Sequence, residues 1–388
     1  MKVVVSGLMA TYPMGGMTWH YLQYLIGLQR MGFEVFYIED TGWWPYSPQL
    51  QTFVEDPTDN VAYLSALMQR YGLEDCWSYR DATNGFLGAS RERALSAFQS
   101  ADLFLNVSGA CWFRPEYQTC GCSVYIDTDP GYNQIKVAKV AEGDHDKDLV
   151  FSVDRMADHQ HHFTFGENTG KPGCRVPTDR FNWRPTRQPI VLDDWAPAAR
   201  GGGTEKWTTV MSWSPYAKPL EFHGERYYGK GAHLERLLDL PQKTGFPMEL
   251  AMSGEAPLER LRNCGWGVVE AGEISASADS YRDYIQSSKA EFSVAKDIYI
   301  SSWSGWFSER SACYLAAGKP VVTEDTGFTE LFPTGQGLLA YETPGQAEAC
   351  VNAVMSDYSQ HSEAARGVAE TFFDAEKVLA KLVLDLGF

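Results

Sequence analysis

The chain has 388 residues, 44% of them hydrophobic and 21% charged, which is ordinary for a globular protein and long enough for two domains. Its formal net charge of −17 argues against nucleic-acid partners, whose phosphates require many lysines and arginines, although one small nucleotide needs only a few donors. No apolar run approaches the ~20 residues of a membrane span. The N-terminus "MKVVVSGLMATYP" is typical of a first strand, so no signal peptide and a cytoplasmic location are expected.

The first forty residues predict a strand, a glycine loop, a helix and a second strand. "KVVVSGL" is β-branched, "MATYPMGG" contains Gly and Pro, and "MTWHYLQYLIGLQRMG" has apolar residues at helical spacing before "FEVFYIED". This βαβ order indicates a parallel sheet. Further strands are predicted at "ADLFLNVSG", "CSVYIDTDP", "LVFSV" and "HFTFGEN". The eight cysteines include no Cys-x-x-Cys pair, which favours reduced thiols over a zinc site.

A linker is predicted at residues 184–205, because the stretch contains several prolines and three consecutive glycines. It separates an N-terminal domain (residues 1–183) from a C-terminal domain (residues 206–365), in which "WTTVMSW" and "FPMELAMSG" are predicted strands. The expected fold class is α/β, with two Rossmann-like, doubly wound domains facing a cleft. Residues 366–388 are expected to form a final helix that crosses back to the N-terminal domain.

The stretch "SGWFSERSACYLAAGKPVVTEDTGF" predicts a loop, a helix, a strand and an acidic turn. The loop leaves N–H groups unpaired at the helix start, where the helix dipole favours an anion such as a phosphate. The turn lies at the carboxyl edge of a parallel strand, where open α/β sheets bind ligands, and its carboxylates suit sugar hydroxyls. Together they predict a nucleotide-sugar site formed by Ser304, Gly305, Trp306, Phe307, Ser308, Arg310, Ser311, Glu324, Asp325, Thr326 and Gly327.

Three segments, in this order, resemble GT-B fold glycosyltransferases. "YPMGG" with "LQRMGFEVFYIE" is similar to the glycine loop, first helix and following turn of that fold. "RYYGKGAHLERLLDLP" resembles an Arg…Lys-Gly element that holds the diphosphate in retaining members. "AAGKPVVTEDTGFTELFPTGQGLL" resembles their donor-binding pattern A-x-G-x-P-V-V…D-x-G-x-x-E…G-x-G-L. The resemblance implies a hexosyltransferase that uses a nucleotide-diphosphate sugar, with a UDP-sugar as first choice, and adds Arg226, Lys230 and Glu330 to the donor site.

Two positions depart from the resemblance. Retaining members carry two glutamates eight positions apart, and this chain has Gly305 and Cys313 there. Inverting members often have a catalytic His directly after the N-terminal loop, where this chain has Met17. His20 lies one helical turn later and is the candidate base. Whether the reaction inverts or retains the anomeric configuration stays open.

The segment "YIDTDP" contains Asp127 and Asp129 after an apolar strand. In the GT-A fold an Asp-x-Asp motif binds a divalent metal, but the two-domain order favours no metal here. We expect Asp127 to face the cleft, orient His20 and favour its protonated form; the alternative is that both aspartates cap a turn before Pro130. Lys296 is either solvated or reaches back to the diphosphate.

The acceptor is expected on the N-terminal domain, where loop aromatics could stack on a flat molecule or a sugar. Adjacent histidines on a strand point to opposite faces, so His161 and His162 are not expected to share a metal. The residues assigned to the acceptor side are Gly15, Gly16, Met17, Trp112, Asp129 and Tyr132.

The expected function is therefore metal-independent sugar transfer in the interdomain cleft, without a cofactor besides the donor substrate. Helix N–H groups and basic side chains would offset the charge of the leaving diphosphate. The alternatives are a sugar epimerase or phosphorylase on the same fold, a nucleotide-sugar-binding protein without catalysis, and a metal-dependent Asp-x-Asp transferase.

Overall fold

The structure, a computed structural model, describes residues 1–196, 203–213 and 220–388. Two mainly parallel sheets dominate it, one in each half of the chain. The predicted linker at 184–205 lies outside the described residues at positions 197–202. Within the three described ranges, none of the helices combines the length and the apolar character that a membrane span requires.

The described residues form eighteen strands. They are β1 (Lys2–Ser6), β2 (Glu34–Glu39), β3 (Tyr46–Ser47), β4 (Thr52–Phe53), β5 (Trp77–Arg80), β6 (Phe86–Gly88), β7 (Leu103–Val107), β8 (Cys122–Asp127), β9 (His161–Thr164), β10 (Trp183–Pro185), β11 (Trp207–Ser212), β12 (Leu220–Phe222), β13 (Glu225–Tyr227), β14 (Met248–Ser253), β15 (Trp266–Glu270), β16 (Ala290–Ser293), β17 (Val321–Glu324) and β18 (Leu338–Tyr341).

The same residues form fifteen α-helices. They are α1 (Gly15–Arg30), α2 (Thr58–Arg70), α3 (Arg91–Ser100), α4 (Tyr132–Ala141), α5 (Lys147–Ala157), α6 (Lys230–Leu234), α7 (Leu240–Thr244), α8 (Leu258–Asn263), α9 (Ala271–Ile274), α10 (Ala278–Ser287), α11 (Asp297–Ser301), α12 (Glu309–Ala316), α13 (Pro344–Ser356), α14 (Tyr358–Phe372) and α15 (Ala375–Asp385).

Each large sheet reverses its strand order next to its first strand. The N-terminal sheet has the order β10-β9-β8-β7-β1-β2-β5-β6, in which only the β5–β6 pair is antiparallel. The C-terminal sheet has the order β15-β14-β11-β16-β17-β18 and is parallel throughout. Open α/β sheets bind ligands at the carboxyl edge beside such a reversal. A site is therefore expected where the carboxyl ends of β1 and β7 face those of β11 and β16.

One predicted strand is wrong, because "LVFSV" belongs to helix α5. Asp146 caps this helix by accepting hydrogen bonds from the N–H groups of Asp148 and Leu149. Val153 and Met156, three residues apart, are buried on one face. A short apolar run does not distinguish a strand from a helix. Here the Asp146 cap and the spacing of Val153 and Met156 favour the helix.

Helix α1 joins the two halves through one row of residues spaced four apart. The N–H group of Gly15 donates to the carbonyl of Ser275 at 2.7 Å. A Cβ atom at position 15 would lie 2.3 Å from the carbonyl oxygen of Ser277, so only glycine allows this approach. One turn later, the indole of Trp19 donates to the carbonyl of Ala278 at 2.8 Å. Both contacts attach the start of α1 to the start of α10.

The next residue of the row, Gln23, is a buried hydrogen-bonding centre. Its Oε1 accepts from the backbone N–H of Val191 at 2.9 Å and from the indole of Trp195 at 3.1 Å. Its Nε2 donates to the Glu309 carboxylate at 2.9 Å. Burial raises the pKa of Glu309 to about 7, since the charged form loses water on entering this contact. One amide therefore ties α1, the segment after β10 and α12 together.

The last residue of the row, Gly27, lies under the C-terminal helix α15. A Cβ atom there would lie 2.6 Å from Cδ1 of Leu379 and 3.0 Å from Cβ of Ala375. Backbone hydrogen bonds also pair Ile190 with the chain on both sides of Asp374. The C-terminal helix thus lies against the first helix of the N-terminal sheet.

The loop before α1 is held by the buried carboxylate of Glu39 at the end of β2. Its Oε1 accepts from the N–H of Ala10 and the hydroxyl of Tyr37, both at 2.6 Å. Its Oε2 accepts from the N–H and the hydroxyl of Thr11, both at 2.9 Å. These donors satisfy the buried charge and fix the loop that leads to Gly15 and Gly16.

We expect Gln23→Met to destabilise the protein. The thioether keeps the volume but leaves two buried donors, the Val191 N–H and the Trp195 indole, without an acceptor, which costs roughly 1–3 kcal/mol each. The free energy of unfolding from urea titration should fall by about 2–4 kcal/mol. Gln29→Met, at an exposed position of the same helix, is the control and should stay within about 0.5 kcal/mol. Equal stability of both variants would contradict the role of Gln23.

Candidate active site

A cavity of about 760 Å³ lies between the carboxyl edges of the two sheets. The loop before α1 and the β3–β4 segment line it from the N-terminal half. The ends of β11, β14 and β15 and the ring of Tyr281 line it from the C-terminal half. Its polar lining residues include Tyr46, Gln51, Ser212, Ser253, Glu270 and Ser275. Its volume and mixed lining are those of a small-molecule site.

Sequence reasoning missed the C-terminal wall of this cavity. Ser212 and Ser253 end two strands that the sequence predicts, "WTTVMSW" and "FPMELAMSG". The rule that ligands meet the carboxyl ends of parallel strands would have selected both serines. Glu270 ends β15, for which no strand is predicted, so no sequence signal pointed to it.

Three cations meet at the C-terminal side of the cleft. Burial and the nearby charges of Arg310 and Lys296 lower the pKa of Lys230 well below its usual value. In the part of the chain that the structure describes, the Lys230 ammonium has no carboxylate or hydrogen-bond partner. An anionic ligand would stabilise a half-buried cation that lies among other cations. The Arg…Lys-Gly resemblance predicts such a ligand at this position.

The two predicted arginine ligands are engaged elsewhere, which corrects their assignment. Arg310 is buried and donates from all three of its nitrogens, to Glu291 Oε1 at 2.5 Å, to the carbonyl of Val210 at 2.7 Å and to Ser293 Oγ at 2.6 Å. Arg226 lies on the exposed β12–β13 hairpin and pairs with Glu221 at 2.7 Å. Arg310 therefore contributes charge next to Lys230, while Arg226 is held by a surface ion pair.

The loop of residues 304–308 packs against the N-terminal half and is not an open anion site. The N–H of Gly305 donates to the carbonyl of Thr326 at 2.8 Å, and the N–H of Trp306 donates to Ser304 Oγ at 3.3 Å. A Cβ atom at Gly305, where φ is +74°, would lie 2.8 Å from Cγ of Asn168. Glycine at position 305 thus permits contact between the two halves, and a close approach to phosphate is not its use here.

The rest of this loop is divided between core and helix start. Phe307 is buried in a cluster with Phe328, Phe332 and Phe373. Ser308 precedes α12 without a side-chain cap. The hydroxyl of Ser311 is buried and has no partner among the described residues. Of the polar side chains on which the anion-site prediction depended, that of Ser311 is unpaired among the described residues, and Ser308 makes no cap to α12.

The acidic turn uses its carboxylates to hold the fold, which corrects their assignment to sugar hydroxyls. Glu324 accepts from His233 at 2.9 Å and from the N–H of Ala295 at 3.1 Å. Burial lowers the pKa of His233, but its hydrogen bonds to the Asp297 and Glu324 carboxylates outweigh this and raise the pKa to about 9, so this contact is an ion pair at neutral pH. Asp325 accepts from the N–H of Gly327 and the hydroxyl of Thr329, and so caps its own turn.

The end of the turn also contacts protein groups. The hydroxyl of Thr326 donates to the carbonyl of Trp306 at 2.5 Å. Glycine is required at position 327, where φ is +91° and a Cβ atom would lie 2.8 Å from Nδ2 of Asn168. The exposed Glu330 accepts from the indole of Trp303 at 2.8 Å. Gly327 is therefore part of the contact between the two halves, while Thr326 and Glu330 bond within the C-terminal half.

Asp127 is not the partner of His20. Asp127 is fully buried and accepts from Asn133 at 2.7 Å, from Gln134 at 2.8 Å and from Thr164 at 2.7 Å. These bonds satisfy both oxygens and anchor the start of α4. His20 Nε2 instead lies 3.2 Å from Ser108 Oγ, whose backbone has a φ of +59° at the end of β7.

The expected rise in the pKa of His20 is also wrong. Burial lowers this pKa to about 4, and the charge of Asp129 offsets only part of that effect. His20 is therefore neutral at physiological pH and able to accept a proton. The nearby carboxylate is Asp129, two residues beyond the one that the sequence suggested.

Asp129 and Lys296 form an ion pair across the cleft at 2.8 Å. The hydroxyl of Tyr299 also donates to Asp129. Burial alone would raise the pKa of Asp129, but the Lys296 ammonium and this hydroxyl hold it below its usual value. The Asp129 side chain keeps 47% of its surface exposed, so it is accessible from the cleft.

The acceptor-side residues separate into two groups. Gly16 and Met17 line the cavity, and Tyr132 lies beside the Lys296 ammonium, 5.0 Å from ring centre to nitrogen. Gly15 instead belongs to the joint with α10, as described above. Trp112 is half-buried and stacks on the Arg114 guanidinium at 3.9 Å.

Among the described residues, no three His, Cys, Asp or Glu side chains come together as metal ligands would. Asp127 and Asp129 bond to protein donors. Independence from metal stays a prediction. His162 Nε2 donates to the carbonyl of Met156 at 2.8 Å, and its ring stacks on Phe181, so it belongs to a packed strand.

Solved structures share this architecture over their whole length. The glycosyltransferase AviGT4, involved in avilamycin A biosynthesis, is 14% identical over 99% of this chain and 96% of its own, with a TM-score of 0.54. Anabaena HepE in complex with UDP and glucose is 11% identical over 100% and 99%, with a TM-score of 0.57. An alpha-glucosyltransferase in complex with UDP and a 13-mer DNA is 8% identical over 99% and 98%, with a TM-score of 0.56.

These similarities confirm the expected fold class, and the chain has the GT-B fold of glycosyltransferases. No family model matches the chain, and no curated protein matches it in sequence. At such low identities the likeness establishes the fold, and the reaction has to be argued from the cleft itself.

Proposed function

We propose that the protein is a glycosyltransferase that moves a sugar from a nucleotide-diphosphate donor to an acceptor in the cleft between its two sheets. The observation that carries the proposal is the Lys230 ammonium, which has no partner among the described residues and lies next to Arg310 and Lys296. Three cations at the carboxyl edge of a Rossmann-like sheet suit a diphosphate, whose charge grows as the sugar leaves. The cavity beside them would take the nucleoside.

Several features support this proposal. The cavity of about 760 Å³ adjoins the ends of β11, β14 and β15, where doubly wound sheets bind nucleotides. Two of the structural neighbours contain UDP, which favours a UDP-sugar as donor. One of those two also contains DNA. For this protein, the net charge of −17 argues against a nucleic-acid acceptor. The half-buried, neutral His20 is the group that we assign as base toward the acceptor hydroxyl.

Lys230→Ala should weaken UDP binding about 10- to 100-fold in calorimetry, because a charge-assisted hydrogen bond of ~1.5–3 kcal/mol is lost. Arg226→Ala is the matched control: the sequence assigns this residue to the same site, but its guanidinium pairs with Glu221 on an exposed hairpin. Its UDP affinity should stay within about twofold. Equal affinities in all three proteins would remove Lys230 from the donor site.

Transfer should persist in EDTA. Lys230 and the charge of Arg310 can offset the diphosphate, and the two aspartates of "YIDTDP" are engaged by protein donors. The measurement is the rate of nucleoside diphosphate release with and without chelator. Activity that disappears in EDTA and returns with manganese would support the metal-dependent alternative.

His20→Ala should reduce turnover by roughly two to four orders of magnitude, as loss of a general base does, and should leave UDP affinity unchanged. His145→Ala, at an exposed loop position, is the control and should retain turnover. The anomeric configuration of the product, read by NMR, completes the test. If His20→Ala keeps near-normal turnover and the product has the inverted anomeric configuration, another residue is the base. If the product retains the configuration of the donor, no such base is needed.

A further inference from the structure

The Asp129–Lys296 ion pair joins the candidate base to the candidate diphosphate site. Asp129 follows β8 of the N-terminal sheet, and Lys296 precedes α11 of the C-terminal half. The carboxylate acts on His20, and the ammonium acts on Lys230. One short ion pair thus lies between the two groups to which the proposed function assigns proton transfer and donor binding.

We propose that Lys296 couples donor binding to the basicity of His20: without donor it neutralises Asp129, and a bound nucleoside diphosphate draws it away so that Asp129 acts on His20 alone. This inference rests on the glycosyltransferase function proposed above. It makes Lys296 and Asp129 positioning residues, which act on the reaction through His20.

The surroundings of Lys296 allow this exchange. Its ammonium lies 2.8 Å from Asp129 and close enough to Lys230 to lower the pKa of that lysine. A diphosphate at Lys230 would present more negative charge than the single carboxylate, and a lysine offers a point charge on a flexible stem that can change partners. The ring centres of Tyr132 and Tyr299 lie 5.0 Å and 5.3 Å from the ammonium, and their faces attract a cation.

The charged and titratable groups around the pair come from several elements of both halves. In the described part of the chain, Asp129 is the charged group that acts on His20; its other polar neighbours are the Ser108 hydroxyl after β7 and the Tyr21 ring on α1. The groups that interact electrostatically with Asp129 include Lys296, Tyr299, Lys136 on α4, Asp127 and Tyr125 on β8, Lys230 on α6, and Tyr21 and His20 on α1. Among these cations, Lys296 has the largest effect on the pKa of Asp129 and lowers it.

The direction of the effect follows from electrostatics. A carboxylate beside an imidazole stabilises the imidazolium and raises its pKa, and a cation paired with that carboxylate cancels the gain. Moving Lys296 to the diphosphate therefore makes His20 a stronger base when the donor is present. In the transfer step, the acceptor oxygen bonds to the anomeric carbon, its proton passes to His20, and the bond to the diphosphate breaks with its electron pair on the diphosphate. The imidazolium formed is then stabilised by Asp129.

The test is an NMR titration of the His20 imidazole in the full-length protein, alone, with UDP and with inorganic pyrophosphate. The His20 signal is assigned by its absence in His20→Gln. In the wild-type protein we expect either ligand to raise the His20 pKa by about one unit or more. In Lys296→Met the value should be higher before ligand is added and should rise less. In Asp129→Asn it should be low throughout and should also rise less.

The bound ligand also raises the His20 pKa directly through its own negative charge. This direct effect is present in every variant, so a difference between variants measures the coupling through Lys296 and Asp129. Lys136→Met removes a different cation near Asp129 and should keep the wild-type response, and Lys296→Arg should keep part of it. An equal rise in wild type, Lys296→Met and Asp129→Asn, with ligand bound in each, would overturn the coupling and leave the proposed function intact. Failure of both UDP and pyrophosphate to bind the wild-type protein would overturn the coupling together with the proposed diphosphate site.

Discussion

The structure depends on the close approach of helix α1 to the C-terminal half. Gly15, Trp19, Gln23 and Gly27 form one row at four-residue spacing, and they meet α10, α12 and α15 in turn. Such rows are the ridges through which helices pack. Glycine at both ends lets backbone and side chains come within contact distance, and Gln23 satisfies the buried polar groups in the middle. Because α1 starts at the carboxyl edge of β1, this contact turns the carboxyl edges of the two sheets toward each other.

The same contact between the two halves determines which charged groups in the cleft are left without an ion-pair partner. The protein is strongly acidic overall, yet Lys230, Lys296 and Arg310 lie close together between the sheets. Arg310 is paired with the buried Glu291, and Lys296 with Asp129. The Lys230 ammonium has no ion-pair or hydrogen-bond partner among the described residues. Its desolvation is unfavourable unless an anion enters, so the free energy of this arrangement favours an anionic ligand.

The fold could be predicted because its signals are local. A β-branched strand, a glycine loop and a periodic helix recur in both halves, and their order implies two parallel sheets. The candidate site could be predicted only in part. The stretch from Ser304 to Gly327 has the residues of a ligand loop, but Asn168 of the N-terminal half contacts two of its glycines, and Phe307 is buried in an aromatic cluster. In "LVFSV", the helical period of the flanking residues prevailed over the β-branched run.

By itself the sequence determined the two Rossmann-like units and the resemblance to GT-B enzymes, and it selected His20 and Lys230, whose roles stay predictions. Tertiary structure decided the partner of each polar group: Asp129 and not Asp127 acts on His20, Arg310 pairs with Glu291, and Glu324 pairs with His233. The reason is physical. Secondary structure follows from spacing along a few residues. The charge and hydrogen bonds of a side chain instead depend on groups elsewhere in the chain, 19 residues away for Arg310 and Glu291 and 91 for His233 and Glu324, whose positions only the packed chain fixes.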